Sequence, residues 1–116
     1  MILLNHMCIF CEIVEGRSPA TKRWSNDQWI VINDIHPKAT THVLLVSRKH
    51  IPSLDETSEE DAQLLGSVLP TIRQLAKDWS LVEGGYRVVN NCGKGAGQVV
   101  DHLHFHLMSG SILEVN

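Results

Sequence analysis

The chain has no long apolar run, no run of basic residues and no repeated or low-complexity segment. A helix needs roughly 20 apolar residues to cross a bilayer, and no stretch approaches that length. The opening Met1-Ile2-Leu3-Leu4 is apolar, but Asn5 and His6 end it before it reaches the length of a signal-peptide core. The sequence therefore predicts a cytoplasmic protein, with residues 1–7 as a poorly ordered extension.

The charge balance is mildly acidic, with 10 basic and 13 acidic residues and a formal net charge of -3. Nucleic-acid binders gain much of their affinity by neutralising phosphates, and this chain lacks that electrostatic footprint. Its 116 residues, 43% hydrophobic and 20% charged, suit one folded domain with a modest core. We therefore expect a single domain over residues 1–116, with neither a nucleic acid nor a membrane as partner.

Hydrophobic periodicity predicts several strands and one long helix. Strands are expected around 22–24, 28–33, 42–47, 86–90 and 99–108, and a short helix or turn over 9–16. Because strands and helices do not alternate in the β-α-β manner, the order predicts an α+β fold with a mainly antiparallel sheet.

The long helix is expected between about Ser58 and Trp79, with Asp61 in its first turn. Its predicted apolar stripe comprises Leu65, Val68, Leu69, Ile72, Leu75, Ala76 and Trp79. Pro70 falls inside this segment, and a mid-helix proline costs about 3 kcal/mol. We therefore expect a kink or a break into two pieces at Pro70.

Three histidines alternate with apolar residues over His102–Met108. In a strand, alternate side chains share a face, so His102, His104 and His106 would line up together about 6.6 Å apart. A neutral imidazole is nucleophilic near pH 7 and could attack phosphorus to give a covalent phosphoramidate intermediate. The pattern predicts a phosphoryl-transfer site more readily than an ordinary polar sheet face.

A glycine-rich loop, Gly93–Gly97, comes just before this strand and reaches it through Gln98. Glycines permit backbone conformations in which successive N–H groups converge on an anion. Taken alone, such a loop is weak evidence, because most are plain turns. Its position beside the histidines predicts a phosphate cradle.

The pair Cys8 and Cys11 has the Cys-x-x-Cys spacing of half a zinc site or a redox pair. A thioredoxin-like motif would need a β-α-β unit, which the pattern does not offer. A closed zinc site needs two further ligands, for which His50 and His102 are candidates. Two buried thiols without metal are the alternative at this point.

Asp34 follows a predicted strand and precedes His36-Pro37. A carboxylate at a strand end could accept both hydroxyls of a ribose. Aspartate is equally common in turns, and spacing alone favours the turn.

These motifs together resemble the histidine triad (HIT) family, whose His-φ-His-φ-His-φ-φ motif matches His102–Met108. The resemblance extends from Cys8 to Gly110, and within the family the sequence is most similar to the Hint branch. The flanking segments that carry it are 10–19, 33–37, 41–46, 49–51 and 85–91.

The resemblance implies a HIT-like fold, an antiparallel five-stranded sheet with one long and one short helix, and a homodimer. It also implies hydrolysis of purine nucleoside 5′-phosphoramidates, such as AMP linked to an amine, through a nucleotidyl intermediate on His104. His106 would bond the phosphate oxygens, and His42 would support the triad. The implied catalytic set is His104, His106, His42 and His102.

The resemblance further implies a nucleotide pocket and a structural zinc site. Asp34 would hold the ribose, in place of the turn role that spacing favoured. The implied nucleotide contacts are Phe10, Ile13 and Ile35 around the base, and Asn91, Gly97, Gln98 and the backbone of Val99 on the α-phosphate. The implied metal ligands are Cys8, Cys11, His50 and His102. Zinc would not be needed for catalysis.

Other functions stay open on the sequence. One is a dinucleoside polyphosphate hydrolase of the Fhit type, and another is a nucleotide-binding protein with little turnover. A third is a metallohydrolase that uses His102, His104 and His106 as ligands.

Val99 stands where the Hint branch often has serine, which removes a hydroxyl near the leaving group.

Overall fold

The computed structural model of the protein describes residues 8–112, so the predicted extension over residues 1–7 lies outside it. Its helices and strands, in chain order, are α1 (Ile9–Val14), β1 (Lys22–Ser25), β2 (Trp29–Asn33), β3 (Ala39–Ser47), α2 (Ala62–Asp78), β4 (Tyr86–Val89) and β5 (His104–Ile112). Short 3-10 turns cover Leu54–Glu56, Glu59–Asp61 and Lys94–Ala96. Within the described part, no helix is long and apolar enough to cross a membrane.

The five strands form one sheet in the order β1-β2-β3-β5-β4, and every neighbouring pair is antiparallel. The predicted α+β fold, with five antiparallel strands, one long helix and one short helix, is confirmed. β5 lies between β3 and β4, although α2 separates β3 from β4 along the chain. This order brings the histidines of β5 beside those of β3.

The sheet has two unlike faces because strand side chains alternate. On the first face, Trp29, Leu45, Phe105 and neighbouring strand residues pack in one apolar cluster with residues of α2. On the second face, a smaller cluster joins Phe10 of α1 to apolar residues of β2 and β3, namely Ile30, Ile32, Leu44 and Val46. The short α1 thus contributes only one fully buried aromatic ring to the second face.

Ser58 and Asp61 form a capping box at the short 3-10 turn that precedes the long helix. The carboxylate of Asp61 accepts the backbone N–H of Ser58 at 2.9 Å and an ammonium N–H of Lys49 at 2.6 Å. The cap closes a 3-10 turn, and α2 begins immediately after it at Ala62.

Two expectations for α2, a break at Pro70 and a buried Leu69, were wrong. The helix runs without a break through Pro70, which lies on its exposed side. The apolar stripe includes Leu64, which the sequence analysis omitted, while Leu69 is 60% exposed. The helix continues through Pro70 because burial of α2 against the sheet offsets the hydrogen bond that proline cannot donate.

The last strand begins at His104, not at Val99 as expected. Residues 98–103 make turn and loop contacts instead: the N–H of His102 bonds the carbonyl of Val100, and the N–H of Leu103 bonds that of Ile51. His102 therefore precedes the strand, and only His104 and His106 follow strand alternation. Leu103 packs in the main apolar cluster.

Candidate active site and metal centre

Three histidines meet on the second face of the sheet, beside α1. His104 and His106 lie on β5, and His42 lies on β3, where the register pairs Leu44 with His106. The rings of His104 and His106 are 5.4 Å apart, and those of His42 and His106 are 5.2 Å apart. His42 and His104 are buried and His106 is half-buried.

The protonation of His104 is fixed by its backbone partner. Its Nδ1 lies 2.6 Å from the carbonyl oxygen of His102, which can only accept a hydrogen bond. Nδ1 must therefore carry the proton, and the lone pair of the neutral ring is on Nε2. The ring of Phe10 packs edge-on against His104 at 5.0 Å, which limits its rotation.

His42 and His106 form a hydrogen-bonded chain with a defined direction. The backbone N–H of Lys38 donates to Nδ1 of His42 at 3.0 Å, so the neutral His42 ring carries its proton on Nε2. That Nε2 lies 3.0 Å from Nδ1 of His106 and 3.3 Å from the carboxylate of Asp34. His106 thus accepts at Nδ1 and presents Nε2–H as a donor.

Burial keeps these rings neutral. It lowers the pKa of His106 to about 4, helped by the neighbouring His104 and His42. Burial also lowers the pKa of His104 and that of His42, although the charge of Asp34 partly opposes the shift in each. Neutral imidazoles at pH 7 supply one lone pair and one N–H donor each, as nucleophilic chemistry on phosphorus requires.

Asp34 serves the turn and the histidines at once. Its Oδ1 accepts the backbone N–H of His36 at 2.8 Å, the turn chemistry that spacing favoured. Its Oδ2 faces His42, and the carboxylate is 17% exposed. A partly exposed carboxylate beside the histidines is available to ribose hydroxyls, which stays a prediction.

A separate cluster on the same side of the sheet joins Cys8, Cys11, His50 and His102, whose ligand atoms lie within 4.8 Å of one another. Sγ of Cys8 is 3.3 Å and Sγ of Cys11 is 3.6 Å from Nδ1 of His102. Nδ1 of His50 is 3.2 Å from Sγ of Cys11 and 3.1 Å from Nδ1 of His102. Ligands of a tetrahedral zinc ion are separated by about 3.3 to 3.8 Å, given bonds of about 2.0 to 2.3 Å. These four residues could hold a metal ion.

The protonation of His102 suits a ligand. Its Nε2 lies 2.6 Å from the carbonyl oxygen of Ser47, so Nε2 carries the proton and the Nδ1 lone pair faces the thiols. His102 is fully buried, and burial lowers its pKa to about 4. Burial and the adjacent Cys8 raise the pKa of Cys11 to about 12, a penalty that a bound cation would remove.

The same test argues against a metal at a second group, Asp34, His42 and His106, whose ligand atoms also lie within 4.8 Å of one another. The atom that His42 turns toward this group is Nε2, which carries the proton because Nδ1 accepts from Lys38. A protonated nitrogen has no lone pair for a metal. These residues therefore form a hydrogen-bonded relay.

The triad histidines do not converge on one point. Nδ1 of His102 faces the cysteines, Nδ1 of His104 faces a carbonyl, and Nδ1 of His106 faces His42. This arrangement gives no support to the metallohydrolase alternative.

The glycine loop closes largely on itself. The N–H groups of Ala96 and Gly97 bond loop carbonyls, and the Gly93 N–H bonds Oε1 of Gln98. The buried Gln98 amide also donates to the carbonyls of Pro52 and Val100, at 2.8 and 2.9 Å. Gln98 therefore braces the loop, and its phosphate contact stays a prediction.

Other predicted contacts line the same region to different degrees. The Asn91 amide donates to the Ala96 carbonyl at 2.8 Å, and Gly97 takes a left-handed conformation with φ near 90°. Val99 is 91% exposed, and within residues 8–112 its N–H has no hydrogen-bond partner. Ile13 packs at the edge of the α1 cluster, while Ile35 is 85% exposed.

Asn90 and the backbone groups that fix each histidine tautomer were not predicted from the sequence. The amide of Asn90 donates to the carbonyl of His104 at 2.9 Å. A polar residue that ends an apolar strand beside the histidine segment was the available signal. The contributions of the Lys38 N–H and the Ser47 carbonyl have no sequence signal, since every residue offers such groups.

The chain matches known proteins along nearly its whole length. The family model described as "Scavenger mRNA decapping enzyme C-term binding" matches residues 7–114. An uncharacterized HIT-like protein of Chlamydia muridarum is 40% identical over 105 residues, which cover 90% of this chain and 82% of that protein.

Solved structures agree in fold. A histidine triad protein from Clostridium difficile is 36% identical, with a TM-score of 0.88 over 95% of this chain and 96% of that one. A HIT family hydrolase from Clostridium thermocellum is 38% identical, with a TM-score of 0.86 over 94% of this chain and 95% of that one.

Proposed function

The chain belongs to the histidine triad family, and from that premise we propose that it cleaves purine nucleoside 5′-phosphoramidates through a covalent nucleotidyl intermediate on His104. The observation that carries this proposal is the 2.6 Å hydrogen bond between Nδ1 of His104 and the carbonyl of His102. It leaves the Nε2 lone pair of a buried, neutral ring as the nucleophile. The hydrolase name of a close structural relative supports an enzyme.

The reaction runs in two displacements. Nε2 of His104 attacks the α-phosphorus, a nitrogen–phosphorus bond forms, and the bond to the amine breaks with its electron pair leaving on the amine. A water molecule at the exposed Val99 end protonates the amine, because valine offers no hydroxyl. The resulting hydroxide then attacks phosphorus, which releases AMP and restores neutral His104. One water is consumed in total.

Charge on the phosphate oxygens is met by fixed donors. His106 presents Nε2–H because its Nδ1 accepts from His42, and the backbone N–H of Val99 has no hydrogen-bond partner within residues 8–112. Donors that are already oriented stabilise developing charge without reorganising. Asp34 holds the ribose hydroxyls in this proposal, and the base lies against Phe10, Ile13 and Ile35.

The Cys8, Cys11, His50 and His102 cluster is proposed as a structural zinc site. Two thiols and two imidazoles are a common zinc ligand set, and the spacing of the ligand atoms suits a tetrahedron. Bound zinc would tie α1 to the loop that precedes β5, with no part in bond breaking. Three free cysteine thiols also suit a reducing compartment, so a cytoplasmic location is part of the proposal.

A homodimer is proposed from the exposed edge of the sheet. β4 is an edge strand whose Tyr86 and Val88 side chains are each 37% exposed, and Leu69 of α2 is exposed as well. Unpaired strand edges and apolar surface favour pairing with a second copy. Light scattering on the purified protein should give twice the mass of 13.0 kDa, and a monomer would contradict this part.

The test compares AMP release from adenosine 5′-phosphoramidate and from diadenosine polyphosphates, with His104→Ala as the blank. Faster release from the phosphoramidate is expected. Faster cleavage of the polyphosphates would replace the proposal with a Fhit-type hydrolase. Tight AMP binding without turnover on either substrate would leave a nucleotide-binding protein. Full activity in His104→Ala would contradict the covalent intermediate.

A further inference from the structure

Asn90 lies at the point where β4 stops pairing with β5. The ladder runs from Tyr86 opposite Ser109 to Val89 opposite His106. Continued by two residues, this register would place Asn91 opposite His104. The strand ends first, and the side-chain amide of Asn90 takes the place of the missing backbone donor, with Nδ2 2.9 Å from the carbonyl oxygen of His104.

The carbonyl of His104 depends on that amide. In an antiparallel ladder, successive residues direct their backbone groups alternately to the two neighbouring strands. Leu103 directs its carbonyl toward β3, where the N–H of Ser47 donates to it at 3.2 Å. His104 therefore directs its own carbonyl toward β4, on the side where β4 has ended. Without Asn90, a buried carbonyl beside the nucleophile would lack a partner.

The amide oxygen of Asn90, Oδ1, makes no hydrogen bond within residues 8–112 that would explain the presence of an asparagine here. Its Oδ1 is buried and has no hydrogen-bond partner among the residues described. Exchanging the two amide atoms would set Oδ1 against the carbonyl of His104, two acceptors in contact, so the contact fixes the orientation. An apolar side chain would avoid the unpartnered oxygen. The donor is therefore the part of the side chain that the fold uses.

We propose that Asn90 is a positioning residue for His104, an inference that rests on the proposed function. The nucleophile is then held at three places: its ring Nδ1 by the carbonyl of His102, its ring face by Phe10, and its own peptide by Asn90. Loss of the third contact frees the peptide that aims Nε2. Because Asn90 makes no proposed contact with substrate, the loss falls on the chemical step.

The experiment uses Asn90→Ala and Asn90→Asp, with Asn26→Ala as the matched control. The Asn26 side chain also bonds backbone, accepting from the N–H groups of Gln28 and Trp29, but it lies in the exposed turn between β1 and β2 and these bonds involve no histidine. We expect kcat to fall at least about tenfold in both Asn90 variants, with KM within about twofold, because small misplacements of reacting groups carry large rate costs. Asn90→Asp should be the slower, since both variants lose the donor but only the aspartate sets a charged acceptor against the carbonyl oxygen of His104.

A second readout separates this inference from the proposed function. Imidazole 15N spectra of the wild type should give one Nδ1–H tautomer for His104, and Asn90→Ala should give broadened or mixed signals there even if neither protein turns over substrate. A wild type without turnover would overturn the proposed function while the spectra still decide the role of Asn90. Unchanged His104 signals, or a rise in KM at constant kcat, would overturn the positioning role, as would an equal loss of kcat in Asn26→Ala.

Discussion

Metal affinity of the cysteine and histidine cluster should depend steeply on pH. Burial and Cys8 raise the pKa of Cys11 to about 12, so in the metal-free protein this thiol stays protonated between pH 6 and 8. A zinc ion binds the thiolate, and binding therefore releases the Cys11 proton. One released proton makes the apparent affinity rise tenfold per pH unit, or about 1.4 kcal/mol. His102 adds nothing in this range, since its pKa of about 4 leaves it neutral.

Competition with a chromophoric zinc chelator at pH 6, 7 and 8 measures this dependence. The apparent Kd should fall at least about 100-fold over the two pH units, given one or more released protons. Cys11→Ser should bind zinc more weakly, and its apparent Kd should change by a factor of ten less per pH unit than that of the wild type. Cys92→Ser is the control, because Cys92 lies outside the cluster. An apparent Kd that moves by less than about threefold between pH 6 and 8 would refute Cys11 as a thiolate ligand.

Two further predictions concern stability and the loop. Metal-free protein should lose about 3 kcal/mol of stability as the pH falls from 7 to 4, because the folded pKa of His102 is about 4 while unfolded histidine takes up its proton near pH 6.5. Urea unfolding in the presence of a chelator at several pH values measures this loss, and a stability that does not change with pH would contradict it. Gln98→Glu would set a carboxylate oxygen against the carbonyls of Pro52 and Val100, so thermal melting should show a loss of about 1–3 kcal/mol, whereas the exposed Gln63→Glu should change little.

The sequence predicted the sheet better than it predicted the ends of its strands. The continuous apolar runs over residues 29–33 and 42–47 follow from burial on both faces, and those strands are present. The apolar Val99 and Val100 extended the same pattern before the histidines, yet they lie in a loop. In this loop the N–H of Leu103 bonds the carbonyl of Ile51, which is distant in the sequence, and the N–H of His102 bonds the carbonyl of Val100 within a tight turn. Local periodicity carries no information about them.

The helix shows the same limit in another form. The periodicity of α2 identified most of its buried face, but Leu64 is buried and Leu69 is exposed. Leu64 and Leu69 lie about 140° apart around the helix axis, and the rotation of the helix on the sheet decides which of them is buried. The sequence does not specify that rotation. Propensity likewise predicted an interruption at Pro70, where packing of the whole helix outweighs one missing hydrogen bond.

Three histidines at alternate positions look equivalent in the sequence and have different roles because of what each backbone neighbour offers. The Ser47 carbonyl takes the Nε2 proton of His102 and turns its lone pair to the thiols. The His102 carbonyl takes the Nδ1 proton of His104 and leaves Nε2 as a nucleophile. The Lys38 N–H bonds Nδ1 of His42 and so places the His42 proton on Nε2. That proton is donated to Nδ1 of His106, which leaves Nε2–H of His106 as a donor. The family motif therefore predicts which residues meet, while the division of labour among them follows from main-chain groups that any sequence would supply and only the fold can place.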